Sequence, residues 1–201
     1  DSSSPNTINN SGKVTGTNSV SRGITLSASK YAVLTNSGTI SATAIGVSVS
    51  GGTNNVINNN AGGIIAGAGD VAAGGGINMS ADSSGTLVNN KGIIGSYGTI
   101  DSLIAIRAAG TCTITNENEI TGNSIGISGI SALTFINKGI VNGDVTLADA
   151  ANTVTFWVGS EIDGDFKIGT HADSTLSFKG NLAFDGAGLL IFSTVTGTTT
   201  L

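Results

Sequence analysis

Three acidic side chains, Asp144, Asp163 and Asp165, form the densest cluster of chemistry-bearing residues in the sequence. Clustered carboxylates serve acid–base work in polysaccharide lyases and hydrolases, or bind calcium through hard oxygen ligands. Calcium at Asp144, Asp163 and Asp165 is one reading. A solvated acidic turn fits better, because no iterated glycine-rich aspartate motif surrounds them. The only histidine, His171, stands in "GTHADS" beside Asp173 and Ser174. A nucleophilic triad can be drawn from the three, yet adjacent turn residues rarely converge on one reacting atom. No Gly-Asp-Ser-Gly protease signature occurs. Cys112, the single cysteine, lies in "TCTI" and shares a strand face with Ile114, so it reads as a buried, inert thiol. No internal disulfide or cysteine-based zinc site can form. The expectation is no catalytic residue, no cofactor and no metal.

Whatever holds these side chains must be built from small and β-branched residues. The 201-residue chain has 31 glycines, one proline and 39% hydrophobic residues, with only 10% charged. Disordered chains are usually richer in charge and proline, so this balance predicts an all-β protein with many tight turns. The formal net charge is −5, and the excess is confined to residues 139–201, where seven acids face only Lys167 and Lys179. No basic stripe exists, which argues against nucleic acid as a partner. No apolar run approaches the length of a membrane span. The chain opens on Asp1 with no charged-then-apolar leader, and reads as a processed or excised piece with its signal peptide removed.

One phrase recurs. Asn-x-Gly-x-(Ile/Val) occurs five times, ending at Val14, Ile40, Ile64, Ile94 and Val141. Chance in such a composition gives roughly 0.5 matches, so the repeat is real. Degenerate copies are "NENEI" at 116–120, "WVGSEI" at 157–162 and "FKGNL" at 178–182. The glycine slot runs Gly12, Gly38, Gly62, Gly92, Asn118, Gly139, Gly159, Gly180. Asparagine tolerates the left-handed backbone region best among non-glycine residues, so Asn118 predicts positive φ at this slot. A second strand signal follows each copy, from "GITLS" at 23–27 to "DFKIG" at 165–169. From that strand to the next glycine the length is nearly constant; from the glycine to that strand it varies from 6 to 15 residues.

Short strands on such a period coil by one strand spacing per repeat. The predicted fold is all-β: a single-stranded, right-handed parallel β-helix (β-solenoid) of about eight rungs, roughly 38 Å long at 4.8 Å per rung. Val14, Ile40, Ile64, Ile94, Ile120, Val141 and Leu182 should form an inward apolar ladder. Asn10, Asn36, Asn60, Asn90, Asn116 and Asn137 should stack as an amide ladder, each side chain both donating and accepting. In the last rungs the amide slot should pass to Trp157 and Phe178.

The chain divides into residues 1–138, rungs with variable loops, and 139–201, compact aromatic-rich rungs of the same β-helix. Five of six phenylalanines and the only tryptophan lie past residue 150, so the C-terminal part should be the more stable. These Asn-x-Gly-x-Ile repeats, followed by "VNGDVTLADAANTVTFWVGSEIDGDFKIGTHADSTLSFKGNLAF", resemble the passenger domains of bacterial autotransporters (type V secretion). The resemblance implies export through the outer membrane by the chain's own C-terminal β-barrel translocator, which lies outside these residues. It also implies a secreted or bacterial cell-surface location, and a C-terminal nucleus that emerges first and templates the rest.

The expected function is therefore a non-enzymatic adhesin or virulence factor presenting loops to a host cell-surface protein or matrix. A secreted effector modulating a host receptor is the alternative, and an exported polysaccharide-acting enzyme comes third. Loops on a rigid scaffold usually carry binding. The longer excursions are 15–23, 65–76 and 95–103, where Arg22, Asp70, Tyr97 and Asp101 could anchor a partner; Lys30 and Tyr31 are further candidates.

Overall fold

The computed structural model describes residues 5–68, 75–97 and 104–179, and the backbone strands Leu190–Phe192 and Thr199–Thr200. Every regular element among them is a β-strand, and every strand pairing is parallel. The chain is a right-handed parallel β-helix whose rungs have three sides. Face A begins with Thr7–Asn10, Val33–Asn36 and Val56–Asn59 and continues through Ser83–Asn90, Thr111–Asn116, Leu133–Asn137, Thr153–Trp157 and Thr175–Lys179. Face B stacks Lys13–Gly16, Thr39–Ala42, Ile64–Gly67 and Ile93–Ser96 on the first halves of Glu119–Gly129 and Ile140–Leu147, then Glu161–Asp163. Face C stacks Arg22–Ser27, Ile45–Ser50, Gly75–Met79 and Ile104–Ala108 on the second halves of those two long strands, then Phe166–Ile168. Seven rungs carry all three strands among the described residues.

Alternation along each short strand decides what lies inside. In Val33–Asn36, Leu34 and Asn36 point inward while Val33 and Thr35 face out. Repeating this choice gives face A two inward columns. The first runs Leu34, Ile57, Val88, Ile114, Phe135 and Val154, all buried; the second holds the asparagines. Face B contributes Val14, Ile40, Ile65, Ile94, Ile120, Val141 and Ile162. Face C adds Ile24, Val47, Ile77, Ile106, Ile127, Val145 and Phe166. The core is thus one continuous column of stacked apolar residues, aliphatic at first and joined by Phe135, Phe156 and Phe166 toward its C-terminal end. No single rung could bury its apolar face alone, so neighbours supply the burial.

The amide ladder lies inside this core, at the corner between faces A and B. Asn36, Asn59, Asn90, Asn116 and Asn137 have no exposed surface. Each Nδ2 donates to the next Oδ1: Asn10 to Asn36 at 2.8 Å, then Asn36 to Asn59, Asn59 to Asn90, Asn90 to Asn116 and Asn116 to Asn137, each at 2.9 Å. The same amides also donate to backbone carbonyls at the corner, such as Gly38 and Ile64 for Asn36. Buried amides left unpaired would be costly; here the stack satisfies them.

Three sequence expectations are corrected at this corner. The ladder residue in the third rung is Asn59, not Asn60, and the inward aliphatic is Ile65, not Ile64. Asn60 is exposed and donates to Ser37 Oγ at 3.0 Å. The reason is a longer corner: Asn36 reaches Ile40 in four residues, whereas Asn59 reaches Ile65 in six. The Asn-x-Gly match at 60–62 is therefore an accident of "NNNAGG". The seventh rung has the same longer corner, so Asn137 stacks on Phe156 rather than Trp157, with Phe178 following as expected. Leu182 lies outside the described residues.

The glycine slot is also kept for a different reason than expected. Among the described residues of this slot, positive φ occurs only in the longer corners, at Gly62 (78°) and Gly159 (79°), which sit third in the tight turns Asn60–Gly63 and Trp157–Ser160. In the short corners the constraint is close approach: a Cβ at Gly38 would meet Gly12 O at 2.1 Å, and one at Gly139 would meet Asn118 O at 2.1 Å. Asn118 does not have positive φ; its side chain turns the close approach into a hydrogen bond, Nδ2 to Gly92 O at 3.1 Å.

Aromatic residues close the described core. Phe156 meets Phe135 and Phe166 edge-on, at centroid distances of 6.3 and 5.3 Å, and stacks on Phe178 at 5.7 Å. Strand pairing between Glu119–Gly129 and Ile140–Leu147 carries the stack across residues 138 and 139 without a break.

Candidate functional site

Length variation falls mainly on one corner. Between faces B and C, five residues of sequence separate Gly16 from Arg22 and seven separate Gly67 from Gly75 and Ser96 from Ile104, yet Glu119–Gly129 and Ile140–Leu147 cross the same corner as unbroken strands. This is the elastic side that the spacings predicted. Arg22 opens the first face C strand here, and Tyr97 follows the face B strand of the fourth rung. The Tyr97 ring covers Gly95, where a Cβ would meet ring carbon at 2.6 Å. Partial burial, together with the charge of Glu119, holds the Tyr97 hydroxyl above its usual pKa. Glu119 itself accepts hydrogen bonds from Thr121 Oγ1 and from Asn142 Nδ2.

Asp70 and Asp101 lie outside the described residues. Lys30 and Tyr31 belong to a different corner, between faces C and A, where Lys30 bridges to Thr53. Tyr31 is exposed, has φ 57°, and donates its backbone N–H to Thr53 O at 3.0 Å. The four described candidates are therefore divided between two corners and do not form one site.

The acidic and nucleophilic clusters have structural partners. Asp144 Oδ1 accepts the backbone N–H of Asp165 at 2.9 Å, tying two rungs together. Ser174 is buried, with its hydroxyl donating to Ala150 O at 2.9 Å and accepting from the Asn152 backbone at 3.2 Å. His171 Nδ1 accepts the Asp173 backbone N–H at 3.2 Å in an exposed turn, so the side chains of His171 and Ser174 are engaged separately although the Ser174 backbone N–H donates to His171 O at 3.0 Å. Burial alone pushes the Cys112 thiol up to about 12. Among the described residues no group of three His, Cys, Asp or Glu side chains is placed to hold a metal ion.

A set of residues missed in the sequence runs along the outside of the amide corner. The variable "x" after each ladder asparagine is not filler. Stacked rungs bring Lys91, Glu117, Lys138 and Trp157 into one outward column. Glu117 pairs with Lys138 at 3.2 Å and Lys91 at 3.6 Å, and Lys138 Nζ lies 5.4 Å from the Trp157 ring centroid. Hydrogen bonding from Lys138, reinforced by the charges of both lysines, holds the Glu117 carboxyl below its usual pKa. Beside this column, on face A, Asn89 Nδ2 donates to Asn58 Oδ1 at 2.9 Å. The alternation Lys, Glu, Lys at successive "x" positions was the readable signal.

With that geometry established, the fold defines the class: a three-sided parallel β-helix. No known protein family, curated protein or solved structure matches the chain.

Proposed function

We propose that this chain is a non-enzymatic segment of an extracellular, autotransporter-type passenger that presents surface features to a host cell-surface protein or matrix. One observation supports it above others: in the stack of rungs that carry all three strands, the longest stretches of sequence between successive strands fall between faces B and C. A rod of regularly stacked strands suits display, since the scaffold that holds the variable segments is already ordered before a partner arrives. The repeat style adds the resemblance to secreted passengers. The test is adhesion of the purified chain to host cells and matrix, before and after shortening 68–74 and 97–103 to the direct connection seen in Glu119–Gly129. Lost adhesion with an unchanged melting curve supports the reading. Adhesion indifferent to both excisions contradicts it.

A further inference from the structure

The outer surface of the amide corner, between faces A and B, carries a further set of polar side chains. A groove of about 310 Å³ runs over the third to fifth rungs, lined by Asn58, Asn60, Asn89, Lys91, Thr115 and Glu117 as well as the backbone side of Asn90. Its outward side chains are amides, a hydroxyl and an ion pair, with none of the aliphatic or aromatic residues that seat a lipid or an amphipathic helix. The Asn58–Asn89 pair uses one end of each amide, leaving a carbonyl end and an NH2 end turned to the groove. The column continues past Glu117 through Lys138 to Trp157, whose ring is 45% exposed.

We propose that this groove binds a neutral, linear oligosaccharide. Hydroxyl groups both donate and accept, matching the free amide ends and the two oxygens of the ionised Glu117. Lys138 Nζ lies over one side of the Trp157 indole, and the exposed remainder of the ring offers an apolar surface against which the C–H side of a pyranose packs. Rungs repeat at about 4.8 Å, close to the advance of one sugar unit in an extended chain, so successive rungs meet successive sugars in register. Charge selects against polyanions. The two lysines of the column are already committed to Glu117, so neither is left uncommitted to recruit one.

Trp157 is the only tryptophan, so its emission reports on the site without a label. The full chain is titrated with chitohexaose, cellohexaose and maltohexaose, followed in parallel by fluorescence and calorimetry. The expected result is a saturable emission change with at least one of them, weakened about tenfold or more by Asn89→Ala and by Glu117→Gln, since each removes a polar contact. Both side chains face solvent, and melting curves of the variants should overlay the parent. Shortening 68–74 should leave the titration unchanged, which separates this site from the loop-display reading. The proposal is overturned if no hexasaccharide binds at millimolar concentration, or if binding is indifferent to both substitutions. Calorimetric binding with silent Trp157 emission would also overturn it. So would selective binding of heparin, or of a host protein stripped of its glycans.

Discussion

Asn59 donates its side-chain amide to Asn90 Oδ1 at 2.9 Å, across 31 residues of sequence, while its neighbour Asn60 points outward to Ser37. Two adjacent, chemically identical residues thus belong to different environments, and their substitutions should differ accordingly. Asn59→Ala leaves the Asn36 amide and the Asn90 carbonyl each short of a partner in the core, for a loss of about 3 kcal/mol. Asn60→Ala should cost less than about 0.5 kcal/mol. Urea midpoints of the two variants check this, and equal midpoints would refute the ladder assignment.

The two reasons for glycine separate in the same way. Gly38→Ala drives a methyl into the Gly12 carbonyl at 2.1 Å and should destabilise by about 3 kcal/mol or more. Gly12→Ala meets nothing within 4 Å and should be near neutral. Gly62→Ala also has open space, yet its φ of 78° should cost about 1 kcal/mol through backbone strain. Thermal melts of the three variants should rank in that order of severity: Gly38, Gly62, Gly12.

The aromatic cluster predicts where the rod resists opening. Phe156→Ala removes contacts to Phe135, Phe166 and Phe178 and should cost about 3–5 kcal/mol, whereas Trp157→Ala should cost under about 1 kcal/mol. Amide exchange should be slowest in the strands around Phe156, and 139–179 should outlast the rungs before it. Slowest exchange at Leu34, Ile40 and Val47 would count against a C-terminal nucleus.

Cys112 supplies a pH-dependent reporter. Its thiol is buried and pushed up to about 12, so the folded state favours the neutral form. Stability from this group is complete below the ordinary thiol pKa near 9 and is lost as pH rises from there toward 12. Cys112→Ala should therefore flatten part of the alkaline decline in melting temperature relative to the parent. At pH 8 iodoacetamide should label Cys112 only as fast as the chain opens, and rapid labelling of the folded rod would contradict its burial.

Much of the architecture was written in local pattern. The period of Asn, Gly and β-branched residues specifies parallel stacking, because each short strand alternates and no rung can bury its own core. The constant and elastic sides were legible from spacings alone, since corner length is counted along the chain. Which asparagine of "NNNAGG" enters the core was not legible. The six-residue corner at 59–65 shifts the register, and only pairing of Val56–Asn59 with its neighbours picks Asn59. The same shift moved the aromatic slot from Trp157 to Phe156.

The outward column was hidden for a related reason. Lys91, Glu117, Lys138 and Trp157 are far apart in sequence and unremarkable one by one; stacking brings them side by side at the outer edge of the amide corner. The sequence by itself determined the repeating unit, its all-β character and where length could vary, since these follow from residue type and spacing. Register, and with it every contact between rungs, was decided only in the folded rod. A one-residue choice at each corner reverses which side chains face in, and that choice is made by the neighbouring rung rather than by the segment itself.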